Sequence, residues 1–229
     1  MLSQIAAIGA RHRLGVIPSH SLNTGLRIHL DKDAVDLTGL NDNFIVGGGT
    51  PGTRTGKVFA ECIDLPGAPA HYELPLADAA DVELDADRSI AFWMICDTVF
   101  STYPLIFGKT AGTNWRGYLN PNGSLTVNFG GTAVVSAISA VTQSNWHHIV
   151  FRYNDATGLG TLTVDNTHVT KTSGGDNANA YNFHLGDTTG GGVYNLNGGF
   201  DQFAVWDRLI TDSEITELYN SGAGFDFLP

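Results

Sequence analysis

The feature that most constrains this chain is a succession of short runs of strand-forming residues, each closed by a turn signal. They fall at 26–30, 58–65, 71–76, 89–96, 104–108, 115–120, 124–129, 133–138, 146–153, 161–164, 168–171, 182–185 and 200–206. Many short strands at close spacing specify a sandwich or barrel. Composition agrees. Charged residues make up 15% of the chain, against roughly 25% in ordinary soluble domains. Glycine (28 residues), threonine, asparagine and serine fill the deficit, and these favour turns and strands over helix interiors.

Two tight hairpins are legible. Asn120-Pro121-Asn122-Gly123 separates two aromatic-rich runs, and Asn-Gly supplies the positive φ angles a short reversal needs. Asp165-Asn166-Thr167 separates 161–164 from 168–170 in the same manner. Segments 38–56 and 186–199, crowded with glycine, asparagine and threonine, are expected to be long loops shaping a ligand surface at one end. Gly47-Gly48-Gly49 and Gly190-Gly191-Gly192 belong to those loops. One helix is well signalled. Thr211 and Glu214 form a reciprocal capping box, Ile215, Leu218 and Tyr219 make an apolar stripe, and Gly222 marks the stop. No internal repeat or linker divides the chain, which points to one domain over 25–222, preceded by an arm (1–24) and followed by a tail (223–229).

Charge excludes several functions. Twelve Lys and Arg against 23 Asp and Glu give −11, so a phosphate-neutralising groove is not expected and neither nucleic acid nor an anionic membrane is a partner. No run approaches the roughly 20 apolar residues that cross a bilayer. The short apolar run 5–10 is followed, not preceded, by Arg11 and Arg13, so no export signal is read. Cys62 and Cys96 lie in strand-like runs and are expected as buried thiols, with a disulfide the less favoured alternative.

Three segments carry a family resemblance: Ser89-Ile90-Ala91-Phe92-Trp93-Met94, the run 145–154 beginning Asn145-Trp146-His147-His148, and the closing stretch from Phe200 through Trp206 and Thr211 to Gly222. Together they resemble the laminin G-like, concanavalin A-like lectin/glucanase superfamily, in its bacterial and viral branch. The resemblance implies an all-β fold, a two-sheet antiparallel jelly-roll sandwich with one short C-terminal helix. Within 146–153 the period of two puts Trp146, His148, Val150 and Arg152 on one face and His147, Ile149, Phe151 and Tyr153 on the other. Neighbouring His147 and His148 therefore point apart and do not make a metal pair. Trp93, Trp146 and Trp206, in the matched strands, are assigned to the core.

Catalysis is not expected. Glucanases of this superfamily carry Glu-x-Asp-x-x-Glu or Glu-x-Asp-x-Glu on one strand; the nearest match, Glu83-Leu84-Asp85-Ala86-Asp87, lacks the second glutamate and precedes a strand. No nucleophile elbow, zinc-protease or phosphate-loop motif is present. The resemblance implies calcium as the candidate cofactor, held by Asp201 in the last strand with Asp36, Asn41 and Asp42 from the early loop; the plain alternative is that Asp201 anchors a neighbouring loop. For glycan binding, sugar C–H faces need aromatic rings and hydroxyls need planar hydrogen-bond partners, and Trp115, Tyr118, Tyr181 and Tyr194 lie in or beside polar, asparagine-rich segments. The expected function is a non-catalytic virion surface protein of phage type, a capsid decoration or tail adhesin. Its arm and tail would dock on other structural subunits, with cell-surface glycan as a further partner. The alternatives are a secreted calcium-dependent lectin and a glycan hydrolase or lyase with an unfamiliar site.

Overall fold

The computed structural model describes residues 20–33, 35–38, 40, 44–76, 79–98, 103–109, 115–173, 181–187 and 194–227. In chain order its strands are β1 (Leu26–Leu30), β2 (Ile45–Gly48), β3 (Gly52–Thr55), β4 (Glu61–Pro66) and β5 (His71–Leu74). Next come β6 (Arg88–Cys96), β7 (Leu105–Lys109), β8 (Arg116–Leu119), β9 (Leu125–Phe129) and β10 (Thr132–Val135). The rest are β11 (Trp146–Asn154), β12 (Leu159–Val164), β13 (Thr167–Thr172), β14 (Phe183–Leu185) and β15 (Asn197–Trp206), followed by helix α1 (Asp212–Tyr219). They form two antiparallel sheets. The eight-stranded sheet runs β13-β12-β11-β6-β15-β4-β3, with β1 also paired to β15; the seven-stranded sheet runs β10-β9-β8-β7-β14-β5-β2.

The sandwich core lies between the sheets, where alternate residues of each strand interlock. From β6 these are Ile90, Phe92, Met94 and Cys96; from β11, Ile149, Phe151 and Tyr153, as the period of two predicts. Phe92 meets Phe107 and Phe200 edge-on at 5.7 and 5.5 Å, the geometry that ring quadrupoles favour. Cys62 and Cys96 are free and buried, and burial pushes their thiols up to about 12 and about 11.

A second apolar layer covers the outer face of the eight-stranded sheet. Ala91, Val150, Ala204 and Trp206 point away from the core and pack under Ile215 and Leu218 of α1, with Leu22 and Phe227 closing the ends. The helix starts where the sequence signals it: Thr211 Oγ1 accepts the Glu214 amide at 3.2 Å, and Glu214 Oε2 accepts the Thr211 amide at 2.8 Å. It ends at Asn220, in the left-handed region (φ 45°, ψ 51°).

Several expectations are corrected here. The segment 38–56, read as loop, contains β2 and β3, the edge strands of the two sheets. Their glycine content hid them. Trp93 and Trp206 are buried, but on the helix side of the eight-stranded sheet, and Trp146 is only half-buried. Beside these corrections, the described parts of the arm and tail pack on the sandwich, while residues 1–19 and 228–229 lie outside the described residues. Leu22 is fully buried and its carbonyl accepts the Trp206 indole N–H at 2.6 Å, while Phe225 and Phe227 pack on the same layer. Residues 20–24 and 223–227 are thus integral to the fold.

Candidate functional site

With one outer face covered by α1 and the terminal segments, the outer face of the seven-stranded sheet is where polar and aromatic side chains gather. On β8, Gly117 and Leu119 take the core side, so Arg116 and Tyr118 point outward, opposite Asn128 and Thr126 of β9. The Arg116 guanidinium lies 5.6 Å from the Tyr118 ring centroid, and Tyr103 meets that ring edge-on at 6.0 Å. Asn120, at the end of β8, donates its amide to Thr126 Oγ1 at 2.7 Å and to Ser124 Oγ at 2.9 Å, holding the predicted hairpin closed. Leu105 pairs with Tyr118 across β7 and β8, and its amide donates to the Tyr194 carbonyl at 2.8 Å. Tyr103, Tyr118 and the Tyr194 backbone therefore lie at the Leu105 end of β7, and Arg116, which pairs with Gly108 further along β7, reaches back to the Tyr118 ring.

The four aromatic residues expected to bind glycan separate. Trp115 is fully buried among Phe107, Phe183 and Phe151 at 5.4, 5.4 and 6.4 Å, so its faces are spent on the core and it offers no platform. Tyr118 is half-buried and faces outward. Tyr194 is 46% exposed at the same end, whereas Tyr181, 45% exposed, precedes β14 at the opposite end of β7. Tyr103, 50% exposed, was missed. Only the fold brings it beside Tyr118, and its one sequence signal is its place immediately before a strand.

The carboxylates expected to hold calcium serve the backbone. A bulge in β15, with Gln202 at φ 52°, turns Asp201 onto the helix-side face, where its Oδ2 accepts the amides of Lys57, Val58 and Phe59 at 2.6, 2.6 and 3.1 Å. Burial raises the Asp201 carboxyl, and those amides pull it back. Asp36 Oδ1 accepts the His29 and Thr38 amides at 3.0 and 3.1 Å, and its Oδ2 takes the Thr38 hydroxyl. Asn41 and Asp42 lie outside the described residues. Calcium takes six to eight oxygens. Asp36 is engaged through both oxygens and Asp201 through Oδ2, while Asp201 Oδ1 is buried without a hydrogen-bond partner, so the described pair offers one free oxygen toward that shell.

The acidic run Glu83, Asp85 and Asp87 is likewise structural. Glu83 pairs with the buried Lys109, Asp85 lies 3.7 Å from Arg88, and Asp87 accepts the Asp155 amide at 3.0 Å.

Toward the β2 edge the same outer face carries His71 and Glu73 of β5 and His184 of β14, which sequence reasoning did not single out. Glu73 and His184 are direct cross-strand partners, and the two imidazoles lie 5.6 Å apart. Burial lowers the pKa of His184, with Glu73 acting against it. His71-x-Glu73 was readable as two side chains on one strand face; only the pairing of β5 with β14 adds His184.

Two antiparallel sheets face to face, one clothed by a terminal helix, define a lectin-type β-sandwich. A family model described as the concanavalin A-like lectin/glucanases superfamily, of laminin G type, matches residues 70–216, and the chain belongs to that family. No curated protein matches it. Among solved structures it is similar to the binding domain of Paraclostridial Mosquitocidal Protein 1, with TM-score 0.69 and 18% identity, covering 88% of this chain and 53% of that one. It is similar to domain 4 of AbnA, a GH43 extracellular arabinanase from Geobacillus stearothermophilus solved with arabinotriose, with TM-score 0.67 and 16% identity over 87% of this chain and 98% of that one. It is also similar to the binding domain of botulinum neurotoxin DC in complex with SialylT, with TM-score 0.66 and 16% identity over 88% and 52%. The chain spans about half the length of the two toxin domains. At these identities the likeness is one of fold.

Proposed function

We propose that the protein is a non-catalytic carbohydrate-binding module whose ligand lies across the outer face of the seven-stranded sheet, at the end marked by Tyr103, Tyr118 and Tyr194. The observation that carries this reading is the cluster itself. Tyr118 stands between the Tyr103 ring and the Arg116 guanidinium, with Asn128 directly beside Arg116 on β9. Rings receive the C–H faces of a sugar, while guanidinium and amide groups hydrogen-bond its hydroxyls. Support comes from the similar arabinanase domain solved with arabinotriose and the toxin binding domain solved with SialylT. The non-catalytic part rests on the acidic run near β6, whose members are tied to Lys109, Arg88 and the Asp155 backbone.

A glycan array spanning pentose, hexose and sialylated oligosaccharides tests the proposal. We expect binding that Tyr118→Ala and Arg116→Ala each weaken by at least ~10-fold, the scale of one lost stacking or charged hydrogen-bond contact. Binding that survives both substitutions, or no binding on the array, contradicts it. The virion-surface setting belongs to the same proposal, and co-purification with intact particles is its test.

A further inference from the structure

We propose that His71, Glu73 and His184 form a binding site for a divalent first-row transition metal of the zinc class, on the outer face of the seven-stranded sheet. Each offers one ligand atom, and these atoms lie within 4.8 Å of one another. The fold fixes the set. Tyr72, Leu74, Phe183 and Leu185 take the core side of β5 and β14, which leaves His71, Glu73 and His184 together on the opposite face.

The surroundings prepare those groups as ligands. His71 Nδ1 lies 2.9 Å from the Pro69 carbonyl, which can only accept, so Nδ1 carries the proton and Nε2 keeps a free lone pair. His184 Nδ1 is buried without a hydrogen-bond partner, which leaves that ring nitrogen uncommitted. Glu73 Oε1 accepts the Asn182 side-chain amide, which orients it. Among the described residues no lysine or arginine pairs with Glu73, so a half-buried negative charge faces two largely buried imidazoles. A cation between them answers both needs.

Glycine in β2 makes the room. A Cβ at Gly47 would stand 2.2 Å from His71 Nε2, so the imidazole lies in a place that any other residue would fill. Two imidazoles and one carboxylate are borderline donors that suit zinc-class ions and not the all-oxygen shell of calcium or magnesium. At metal–ligand distances of about 2.1 Å, tetrahedral ligands stand about 3.4 Å apart, so the widest separation in the set must contract by up to about 1.4 Å; the half-exposed Glu73 has the freedom to close it. Three protein ligands leave a fourth position for water.

The test uses the full chain stripped by chelator and Zn²⁺ alone, competed against a chromophoric chelator, with Co²⁺ absorption as a second readout. One equivalent is expected to bind, with visible Co²⁺ bands of a low-coordinate nitrogen and oxygen site. Glu73→Gln keeps the side-chain volume and the Asn182 contact. It and His184→Asn are each expected to weaken binding at least ~10-fold, since even outer partners of metal ligands are worth that much. The exposed His168→Asn is expected to change nothing. Thermal unfolding of each metal-free variant confirms that it is folded. Absence of stoichiometric binding, or binding that Glu73→Gln leaves intact in a folded protein, overturns the proposal.

Discussion

Arg208 grips Glu214 by both carboxylate oxygens, Nη1 to Oε2 at 2.9 Å and Nη2 to Oε1 at 2.7 Å. The same arginine donates to the carbonyls of Thr24 and Ser21 at 2.7 and 2.8 Å. The same glutamate closes the capping box of α1. One ion pair thus joins the end of β15, the start of the helix and the N-terminal segment, the three pieces that cover one outer face.

The Arg208 hydrogen bonds hold the Glu214 carboxyl down to about 2, against an ordinary 4.5. A depressed folded pKa contributes stability above the unfolded value that is lost as pH falls toward the folded one. Glu214→Gln is expected to cost about 2 kcal/mol at pH 7, by loss of a charge-assisted fork and half a capping box. The difference from wild type in urea unfolding should shrink as pH drops from about 4.5 toward about 2. A difference constant with pH contradicts the assignment.

Burial lowers His29 to about 3 and His148 to about 4, so both imidazoles are neutral in the fold. The unfolded chain protonates them near 6.5, so stability falls as pH drops below that value. The slope approaches about 1.4 kcal/mol per pH unit for each histidine. His29 contacts Phe59 and Phe227 edge-on at 6.0 and 5.1 Å, and His29→Leu should flatten the pH 4 to 6 limb of the stability curve. An unchanged limb would show that His29 is not buried neutral.

Asp201 anchors residues 57–59 through one oxygen, and charge at that site is opposed by burial. Asn keeps an acceptor and removes the charge, so Asp201→Asn is expected to change stability by less than about 1 kcal/mol. Asp201→Ala orphans three amides and should cost more than about 2 kcal/mol. Because the folded pKa is raised, wild type should gain on Asp201→Asn as pH falls through the carboxylate range. Calcium and chelator should leave the melting temperature of all three proteins unmoved. A calcium-dependent rise in wild type that Asp201→Asn abolishes would restore the calcium reading.

Both thiols are buried and held well above neutral pKa. At pH 8 a chromogenic disulfide reagent is expected to leave the native protein unlabelled and to titrate two thiols in denaturant. Fast labelling of either cysteine in the native state would contradict this.

The sandwich was legible because period-two runs, two hairpin turns and a capping box all act locally: the sequence places β1 at its observed bounds and marks the N-terminus of α1. What it hid depends on distant pairing. Gly47 and Gly48 read as loop because the reason for glycine in β2, the His71 imidazole lying against it, sits on another strand. Trp115 looks from its polar neighbours like a surface ring, yet its strand register turns it into the core. The Tyr103–Tyr118 contact and the Glu73–His184 pair exist only once sheet order is fixed. A bulge in β15 decides where Asp201 points, and the linear sequence carries no mark of it beyond Gln202.

The most direct measurement is an NMR titration of the isotope-labelled chain with the strongest glycan from the array, read amide by amide. The account predicts shifts concentrated at 103–105, 116–120, 126–128 and 194, with the α1 residues 212–219 unmoved. Shifts concentrated on α1 or the segments beside it would place the ligand on the covered face and contradict the account.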